Sequence, residues 1–126
     1  MNLTQLSKIK NVTGHDITIV DRQGNIIKNI APAKELEPLR ADFSMVDITY
    51  LEGVPVSMLN FKVNYPAEDL KRLESEYEAL IVSKITAEGL RSIGYKGTLL
   101  ITGRKFYQKG ELVGVNELSL VWWNEN

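Results

Sequence analysis

The chain has 126 residues, of which 44% are hydrophobic and 25% charged, and its formal net charge is -1. This length and composition predict one globular domain with one core, and they argue against a disordered tail, a membrane span and a duplex nucleic acid partner. The chain has no cysteine, which excludes disulfides, thiolate metal sites and cysteine nucleophiles. Because the first residues lack the basic, apolar and small-residue order of a secretory signal, we expect a cytoplasmic protein.

The first third of the chain predicts short strands joined by tight turns. Alternating residues from Ile17 to Val20 are followed by a turn containing Gly24 and by a second strand from Ile26 to Ile30. β-branched and aromatic residues then predict a longer hairpin, with one strand from Phe43 to Leu51 and another from Val54 to about Asn64. Pro55 lies in the second of these strands and predicts an edge or a bulge, because proline cannot donate to a ladder.

The middle of the chain changes to a helical period. Apolar residues three and four apart predict an amphipathic helix over about residues 66 to 77, whose carboxylates Glu74 and Glu76 lie on a solvated face. The apolar run from Leu80 to Val82 is too short for a helix and predicts a buried strand. Ser83 is expected to cap a second helix that ends at a left-handed glycine. The residues predicted to be buried in this helix are Ile85, Gly89, Leu90 and Ile93, and its stop is Gly94.

The final third returns to strands. The predicted strands are Thr98 to Thr102, about Lys105 to Gln108, Leu112 to Val115 and Leu118 to Trp123, with a turn at Lys109-Gly110. Neighbouring strand residues point opposite ways, so one of Trp122 and Trp123 is expected in the core and the other at an edge or subunit contact. The sequence therefore predicts an α+β fold over residues 1–126, a single domain with a mostly antiparallel sheet and two short helices.

The stretch from Thr102 to Val115 combines cations, aromatic rings and glycines. Guanidinium and ammonium groups complement phosphate, and aromatic faces stack on bases at roughly 1 to 3 kcal/mol each. Strand alternation predicts Arg104 and Phe106 on one face and Lys105 and Tyr107 on the other. Cations outnumber acids between Ser83 and Lys109, which favours a local anion-attracting surface. The alternative is a structural hairpin, with one ring in the core and cations that protect a sheet edge.

Other polar residues offer weaker candidates for chemistry. His15 is the only histidine and precedes Asp16, but a metal site or triad needs convergent partners, and no second histidine exists. We therefore expect a turn histidine whose ring bonds to the backbone. The pair Glu74 and Glu76 lies on a solvated helix face, so we expect no glycosidase chemistry from it.

Three short blocks resemble a group of small phage and prophage proteins. Asn11-Val12-Thr13-Gly14-His15-Asp16-Ile17 is similar to the Asn-Leu-Thr-Pro-His-Asp-Ile opening of that group, although this chain has Gly14 in place of the proline. The likeness continues in Leu80-Ile81-Val82-Ser83 and in Gly110-Glu111-Leu112-Val113-Gly114-Val115, in the same order. The group includes the first-described type of phage Thoeris anti-defence sponge, and the chain resembles that family.

The resemblance implies a non-enzymatic sponge for a cyclic nucleotide immune signal. Members bind cyclic ADP-ribose isomers made by bacterial TIR enzymes, and some also bind cyclic oligonucleotides from CBASS systems. They sequester without cleaving, and they assemble as dimers or trimers of dimers with ligand between subunits. The implied setting is the cytoplasm of an infected or lysogenic bacterial host, with neither a cofactor nor a metal.

Candidate ligand contacts follow from residue type and location. They are phosphate contacts from Arg91, Arg104, Lys105 and Lys109, adenine stacking by Phe106 or Tyr107, and backbone amide contacts near Ser83.

Two other classes of function stay open. One is a phage accessory protein that acts as a structural or protein–protein interaction module through its strand edges and tryptophan pair. The other is a phosphodiesterase or other hydrolase, for which His15 is the sole neutral-pH base.

Overall fold

In the computed structural model of the chain, residue 3 and residues 5–122 are described. The prediction that one tryptophan of the Trp122–Trp123 pair lies in the core falls outside the described residues. Neither Trp123 nor the side chain of Trp122 is among them. The strands of the described chain are β1 Ile9–Asn11, β2 Ile17–Val20, β3 Ile26–Ile30, β4 Ala41–Leu51, β5 Val54–Val63, β6 Ala79–Ile81, β7 Leu99–Thr102, β8 Lys105–Gln108, β9 Glu111–Val115 and β10 Leu118–Trp122. The helices are α1 Ala67–Glu76 and α2 Lys84–Ser92, and a 3-10 turn covers Leu6–Lys8. The predicted α+β class with two short helices is confirmed.

The strands form three sheets. The first has the order β1-β6-β7-β10, the second β3-β2-β9-β8, and the third contains β4 and β5 alone. The first two sheets are mixed, because β6 is parallel to both β1 and β7 and β2 is parallel to β9. The other strand pairs are antiparallel, including the whole of the β4–β5 pair.

The first sheet is covered on both faces, which gives two clusters of buried residues where the composition predicted one core. Leu80 and Val82 pack with residues of both helices, including Leu73 and Leu90. Side chains alternate along a strand, so Ile81 points to the opposite face, where it packs with residues of the second sheet. Burial on both faces explains the uniformly apolar run at residues 80–82, the predicted buried strand, which the structure places one residue earlier as β6.

The helix limits follow the capping rules. Pro66 precedes α1 as its N-cap, and the acids Glu68 and Asp69 lie in the first turn, where the helix dipole favours negative charge. Ser83 caps α2, and its hydroxyl oxygen accepts a hydrogen bond from the Thr86 amide at 3.2 Å. Gly94 has a φ of +89°, so the left-handed stop predicted for it is confirmed. No helix of the described chain has the length and apolar character needed to cross a membrane.

Three details of the two helices differ from prediction. Ile85 and Ile93 are 39% and 48% exposed, so the prediction that both are buried is wrong. The buried face of α2 consists instead of Thr86, Ala87, Gly89 and Leu90, because the helix turns its small residues toward β4 and β5. Glu74 is not only a solvated carboxylate, since its Oε1 accepts a hydrogen bond from the Lys96 amide at 2.9 Å.

The turns predicted at glycines are confirmed, and one has an additional cap. The Lys109-Gly110 turn has φ values of 51° and 80°, as a tight hairpin turn requires. Gly24 has a φ of 91°. The Asp21 carboxylate closes that turn by accepting bonds from the amides of Asn25 and Gln23, each at 2.9 Å, and these bonds, the Asn25 bond most of all, lower the pKa of Asp21.

The third sheet is a two-stranded antiparallel ribbon formed by β4 and β5, termed the β4–β5 ribbon below. Its register is broken between Asp47 and Thr49, so Ile48 forms a bulge. Pro55 lies opposite Tyr50 in this sheet of two strands, and its predicted edge position is confirmed. The ribbon meets the rest of the chain at its base, where Ala41 and Phe61 pack against Gly89 of α2.

Candidate functional site

The turn between β1 and β2 is fixed by the buried amide side chain of Asn11, the first residue of the opening block. Its Nδ2 donates to the carbonyl oxygens of His15 at 2.8 Å and Ile30 at 3.0 Å. Its Oδ1 accepts from the Thr13 amide at 3.0 Å and from the Thr13 hydroxyl at 2.6 Å. Asn11 is thus fully bonded at 2% exposure, and it holds residues 13–16 in one conformation.

Gly14 has a φ of +90° within this turn. Proline fixes φ near -65°, so the proline of the similar phage proteins cannot occupy this backbone conformation. A Cβ placed on Gly14 would also lie 3.0 Å from the Cγ of Pro38. The turn therefore differs from one that proline would form. Because Gly14 has no side chain, the Arg40 side chain can lie over the turn, and its Nη2 is only 3.3 Å from the position that a Cβ on Gly14 would occupy.

A cleft of about 330 Å³ opens on one side of this turn, and we call it the helix-side cleft. Its walls are residues 13–15, residues 39–42 and the start of α2 at Ser83, Ile85 and Thr86. The first amides of a helix have no partner within it, so Lys84 and Ile85 leave N–H groups at the end where the dipole is positive. Arg40 adds a guanidinium, which has no carboxylate partner within 4.0 Å among the described residues.

A second cleft of about 350 Å³ lies on the other side of His15, and we call it the sheet-side cleft. It is lined by residues 15–18, Thr102, Lys105 and residues 112–115 of β9. The sheet-side cleft contains one basic residue, Lys105, and one acidic residue, Asp16. The helix-side cleft likewise contains one basic residue, Arg40, and one acidic residue, Asp42. His15 belongs to both walls, so the turn fixed by Asn11 separates two clefts that each contain one cation.

Two of the predicted ligand contacts lie in these adjoining clefts, Ser83 in the helix-side cleft and Lys105 in the sheet-side cleft. Arg91 does not join Ser83, because the two lie at opposite ends of α2, roughly 12 Å apart along the helix axis. Lys109 is in the exposed turn between β8 and β9. Arg91 and Lys109 therefore lie outside both clefts within one copy of the chain.

Arg104 is held by a carboxylate that the sequence prediction did not weigh. It precedes β8, and its Nε lies 2.6 Å from the Oε1 of Glu117, while its amide donates to the other oxygen of the same carboxylate at 2.9 Å. These contacts lower the pKa of Glu117, the side-chain hydrogen bond from Arg104 most of all. The negative charge of Glu117 offsets the positive charge of Arg104, one of the cations that predicted an anion-attracting surface. Arg104 also lies outside β8, so the strand alternation that was predicted to orient its side chain does not apply to it.

The two aromatic residues of β8 have different surroundings. A Cβ placed on Gly24 would lie 2.9 Å from Cε1 of Phe106, so the Phe106 ring is half-buried against the β2–β3 turn. Tyr107 is 55% exposed. Of the two predicted stacking residues, only Tyr107 therefore presents an accessible ring, and neither residue lines the two clefts.

His15 behaves as a turn histidine. Its Nδ1 lies 3.1 Å from the backbone carbonyl oxygen of Asp16, and the ring is exposed. Among the described residues, no group of three or more histidine, aspartate or glutamate side chains could hold a metal ion. The geometry thus gives His15 a structural bond to the backbone.

Sequence reasoning missed three residues that organise this site. Arg40 precedes a strand in a connection without periodicity, so nothing in the pattern pointed to it. Asn11 begins the block that resembles the phage group, and an asparagine shortly before a Thr-Gly turn is a recognisable cap, so its residue type was the signal for this role. Glu117 lies 13 residues after Arg104, and only the pairing of β7 with β10 brings the two together.

Comparison with family models, curated proteins and solved structures finds no match to the chain.

The Arg104–Glu117 contact gives a prediction about titration. We expect Arg104→Ala to raise the pKa of Glu117 toward its ordinary value of 4.5, because the largest lowering contribution is the Arg104 side-chain bond. A pKa lowered on folding stabilises the fold above the unfolded-state value, and this stabilisation is lost as pH falls through the folded value. Carbon-detected NMR titration of the Glu117 carboxyl measures the shift. Lys109→Ala is the matched control, and equal pKa values in all three proteins would contradict the assignment.

Proposed function

We propose that the chain sequesters a cyclic nucleotide immune signal without cleaving it, and so blocks bacterial anti-phage defence. The ligand class is a cyclic ADP-ribose isomer, with cyclic oligonucleotides as a second class. The site of action is the cytoplasm of an infected or lysogenic bacterial host, and the assembly is a homo-oligomer with ligand at a subunit interface. The resemblance of the opening block supports the ligand class, and the two clefts support the mode of binding.

The observation that carries the proposal is the pair of clefts on either side of His15. Each lies near the lower end of the range of about 300–1,000 Å³ that small-molecule sites occupy. A cyclic dinucleotide-like ligand has two phosphoryl or ribosyl parts, and two adjoining clefts with one cation each suit such a ligand. The wall between them is rigid because Asn11 bonds to both ends of the turn.

Binding in the helix-side cleft would use the start of α2. A phosphate there would accept hydrogen bonds from the free amides of Lys84 and Ile85 and a charge-assisted bond from Arg40. In the sheet-side cleft, Lys105 would supply a second cation to the same ligand. These bonds position an anion and involve no nucleophile, so the ligand would be held without chemistry.

The other predicted contacts have a place in the proposed assembly. A ligand held between two copies meets residues of both, so Tyr107 and Lys109, which are exposed and outside the clefts of their own copy, could contact a ligand bound by a neighbour. Arg91 is also exposed and would contact such a ligand as a further cation. Tyr107 would then stack on adenine, as a free aromatic face permits. Arg104 would contribute less, since Glu117 already accepts its hydrogen bonds.

Titration calorimetry with cyclic ADP-ribose isomers and cyclic trinucleotides tests the proposal directly. Bound ligand recovered unchanged after the protein is denatured indicates sequestration, whereas altered ligand indicates a hydrolase with His15 as its base. The absence of heat with every one of these nucleotides would refute the proposal. It would favour the structural or protein–protein interaction module instead, for which the exposed apolar β4–β5 ribbon is the relevant observation.

We expect Arg40→Glu and Lys105→Glu each to weaken binding of the nucleotide that gives heat by about 10- to 100-fold. Each change removes a hydrogen bond to a charged group, worth about 1.5–3 kcal/mol, and adds a like charge beside the phosphate. The matched control is Glu at an exposed base away from the clefts, Lys34→Glu, which should bind within about twofold of the unchanged protein. Equal loss in all three variants would show that net charge, and not the clefts, governs binding.

A further inference from the structure

The β4–β5 ribbon exposes more large apolar side chains than any other part of the described chain. Met45, Tyr50 and Leu51 are each about two-thirds exposed, at 68%, 64% and 65%. The other exposed apolar residues of the ribbon are Phe43, Val46, Ile48, Val54, Met58 and Leu59. Monomeric proteins rarely expose contiguous apolar surface on this scale, so the ribbon is marked as an interaction surface.

The apolar residues lie on both faces of the ribbon. Met45 is directly opposite Leu59, and the next pair, Val46 and Met58, points to the other face because side chains alternate along a strand. A surface strand of an antiparallel sheet normally has one apolar face and one polar face. Apolar pairs on both faces are the pattern of a strand that is covered from both sides.

The ribbon receives little cover from the other described residues of its own chain. Within residues 5–122, its base packs on α2 through Ala41 and Phe61, and its two strands pair only with each other. Both outer edges therefore present unpaired backbone groups over most of their length. An isolated two-stranded hairpin is marginally stable at best in water, so a ribbon of this length needs a partner surface to remain ordered.

The accessible area of the whole chain is also large for its mass. The chain exposes 8574 Å², whereas compact monomers of 14.2 kDa expose about 6,800 Å². The difference of roughly 1,800 Å² exceeds the roughly 800 Å² that one partner loses in an interface of standard size. An excess of this size matches a large interface, and the ribbon has the largest group of exposed apolar side chains among the described residues.

We propose that the β4–β5 ribbon is a self-association arm, covered in the assembled protein by a second copy of the same chain. A ribbon with two apolar faces needs cover from the moment it folds, and the partner always present in equal amount is another copy. Obligate interfaces are the apolar ones, and two-fold homodimers are the commonest assemblies with such interfaces. The inference concerns the ribbon alone and holds whether or not the chain binds a nucleotide.

Sedimentation equilibrium at micromolar concentration tests the arm. The unchanged protein is expected at twice its 14.2 kDa chain mass or a higher even multiple. Met45→Glu should raise the dissociation constant about 10- to 100-fold, because it places an unpaired charge in the interface. The matched control is Ile26→Glu, at a residue that is 69% exposed and lies on β3, away from the ribbon. A monomeric unchanged protein, assembly that survives Met45→Glu, or equal loss with Ile26→Glu would each overturn the proposal.

A labelling experiment covers the case in which Met45→Glu fails to fold. The chain has no cysteine, so Tyr50→Cys and Ile26→Cys each introduce a single thiol. Both positions are exposed within one copy, at 64% and 69%, and a monomer would label at the same rate at both. The arm predicts that the thiol at position 50 reacts at least about tenfold more slowly with a maleimide and that dilution to nanomolar concentration removes this protection. Equal rates at micromolar concentration would contradict it.

Discussion

Asn11→Ala is expected to destabilise the protein by about 2–4 kcal/mol, a large loss for a single polar side chain. The substitution removes the Asn11 donor from the carbonyl oxygens of Ile30 and His15 and leaves the Thr13 amide without its side-chain acceptor, although His15 keeps the bond from the Thr13 hydroxyl at 3.2 Å. The site is 2% exposed, so water does not replace these bonds at full strength. Urea denaturation measures the change as a lower midpoint at an unchanged slope.

The control for this prediction is Asn29→Ala. Asn29 is exposed and bonds to Thr18 at 3.1 Å, so its loss should cost no more than about 0.5 kcal/mol. Asn11→Asp is a second variant, which keeps the acceptor oxygen but loses both donor bonds and places a carboxylate beside two carbonyl oxygens. It should destabilise at least as much as Asn11→Ala. Similar midpoints for Asn11→Ala and Asn29→Ala would show that the amide network does not stabilise the turn.

Gly114→Ala is expected to cost about 3 kcal/mol, the upper end of the usual range for overpacking. A Cβ at this position would lie 2.6 Å from the carbonyl oxygen of Thr18 and 3.2 Å from Cγ1 of Val20. The nearer atom belongs to the backbone, so it cannot turn away as a side chain would. Relief requires β2 and β9 to separate where Ile19 pairs with Val115, at the centre of the second sheet.

Thermal unfolding followed by circular dichroism measures this effect, with Leu112→Ala as the control on the same strand. Leu112 is exposed, and its truncation should change the melting temperature little. Because Gly114 and Leu112 both line the sheet-side cleft, the pair also separates loss of fold from loss of binding surface. A melting temperature for Gly114→Ala equal to that of Leu112→Ala would contradict the close approach of the two strands.

Most of the local structure could be predicted from the sequence, because it follows from short-range chemistry. The Ser83 cap, the Gly94 stop and the Lys109-Gly110 turn each depend on a few neighbouring residues, and all three are confirmed. The strand β1 was not predicted. This strand has only three residues and is defined by its parallel pairing with β6, some 70 positions later in the chain. A local sequence pattern does not contain that information.

The candidate site was less predictable than the fold. Lys105, Phe106 and Tyr107 were correctly placed on strand β8. Glu117 and Gly24 restrict Arg104 and Phe106, and both are distant from them in sequence. Arg40 reaches the helix-side cleft only because Gly14 has no side chain and adopts a positive φ. Residue type indicated the chemistry, whereas the separation of the ligand contacts into two clefts depends on long-range packing.

The parallel pairing of β2 with β9 has a consequence for how the chain folds. Ile19 meets Val115 across 96 positions of sequence, so the second sheet cannot close until residue 115 has left the ribosome. The β4–β5 ribbon needs only its own turn and can form early. During synthesis an apolar hairpin would thus precede the sheets, and folding should be slow compared with helical proteins of this length, because long-range pairings dominate. Nascent chains would then expose the ribbon before its partner is complete, and chaperone dependence should rise with the rate of expression.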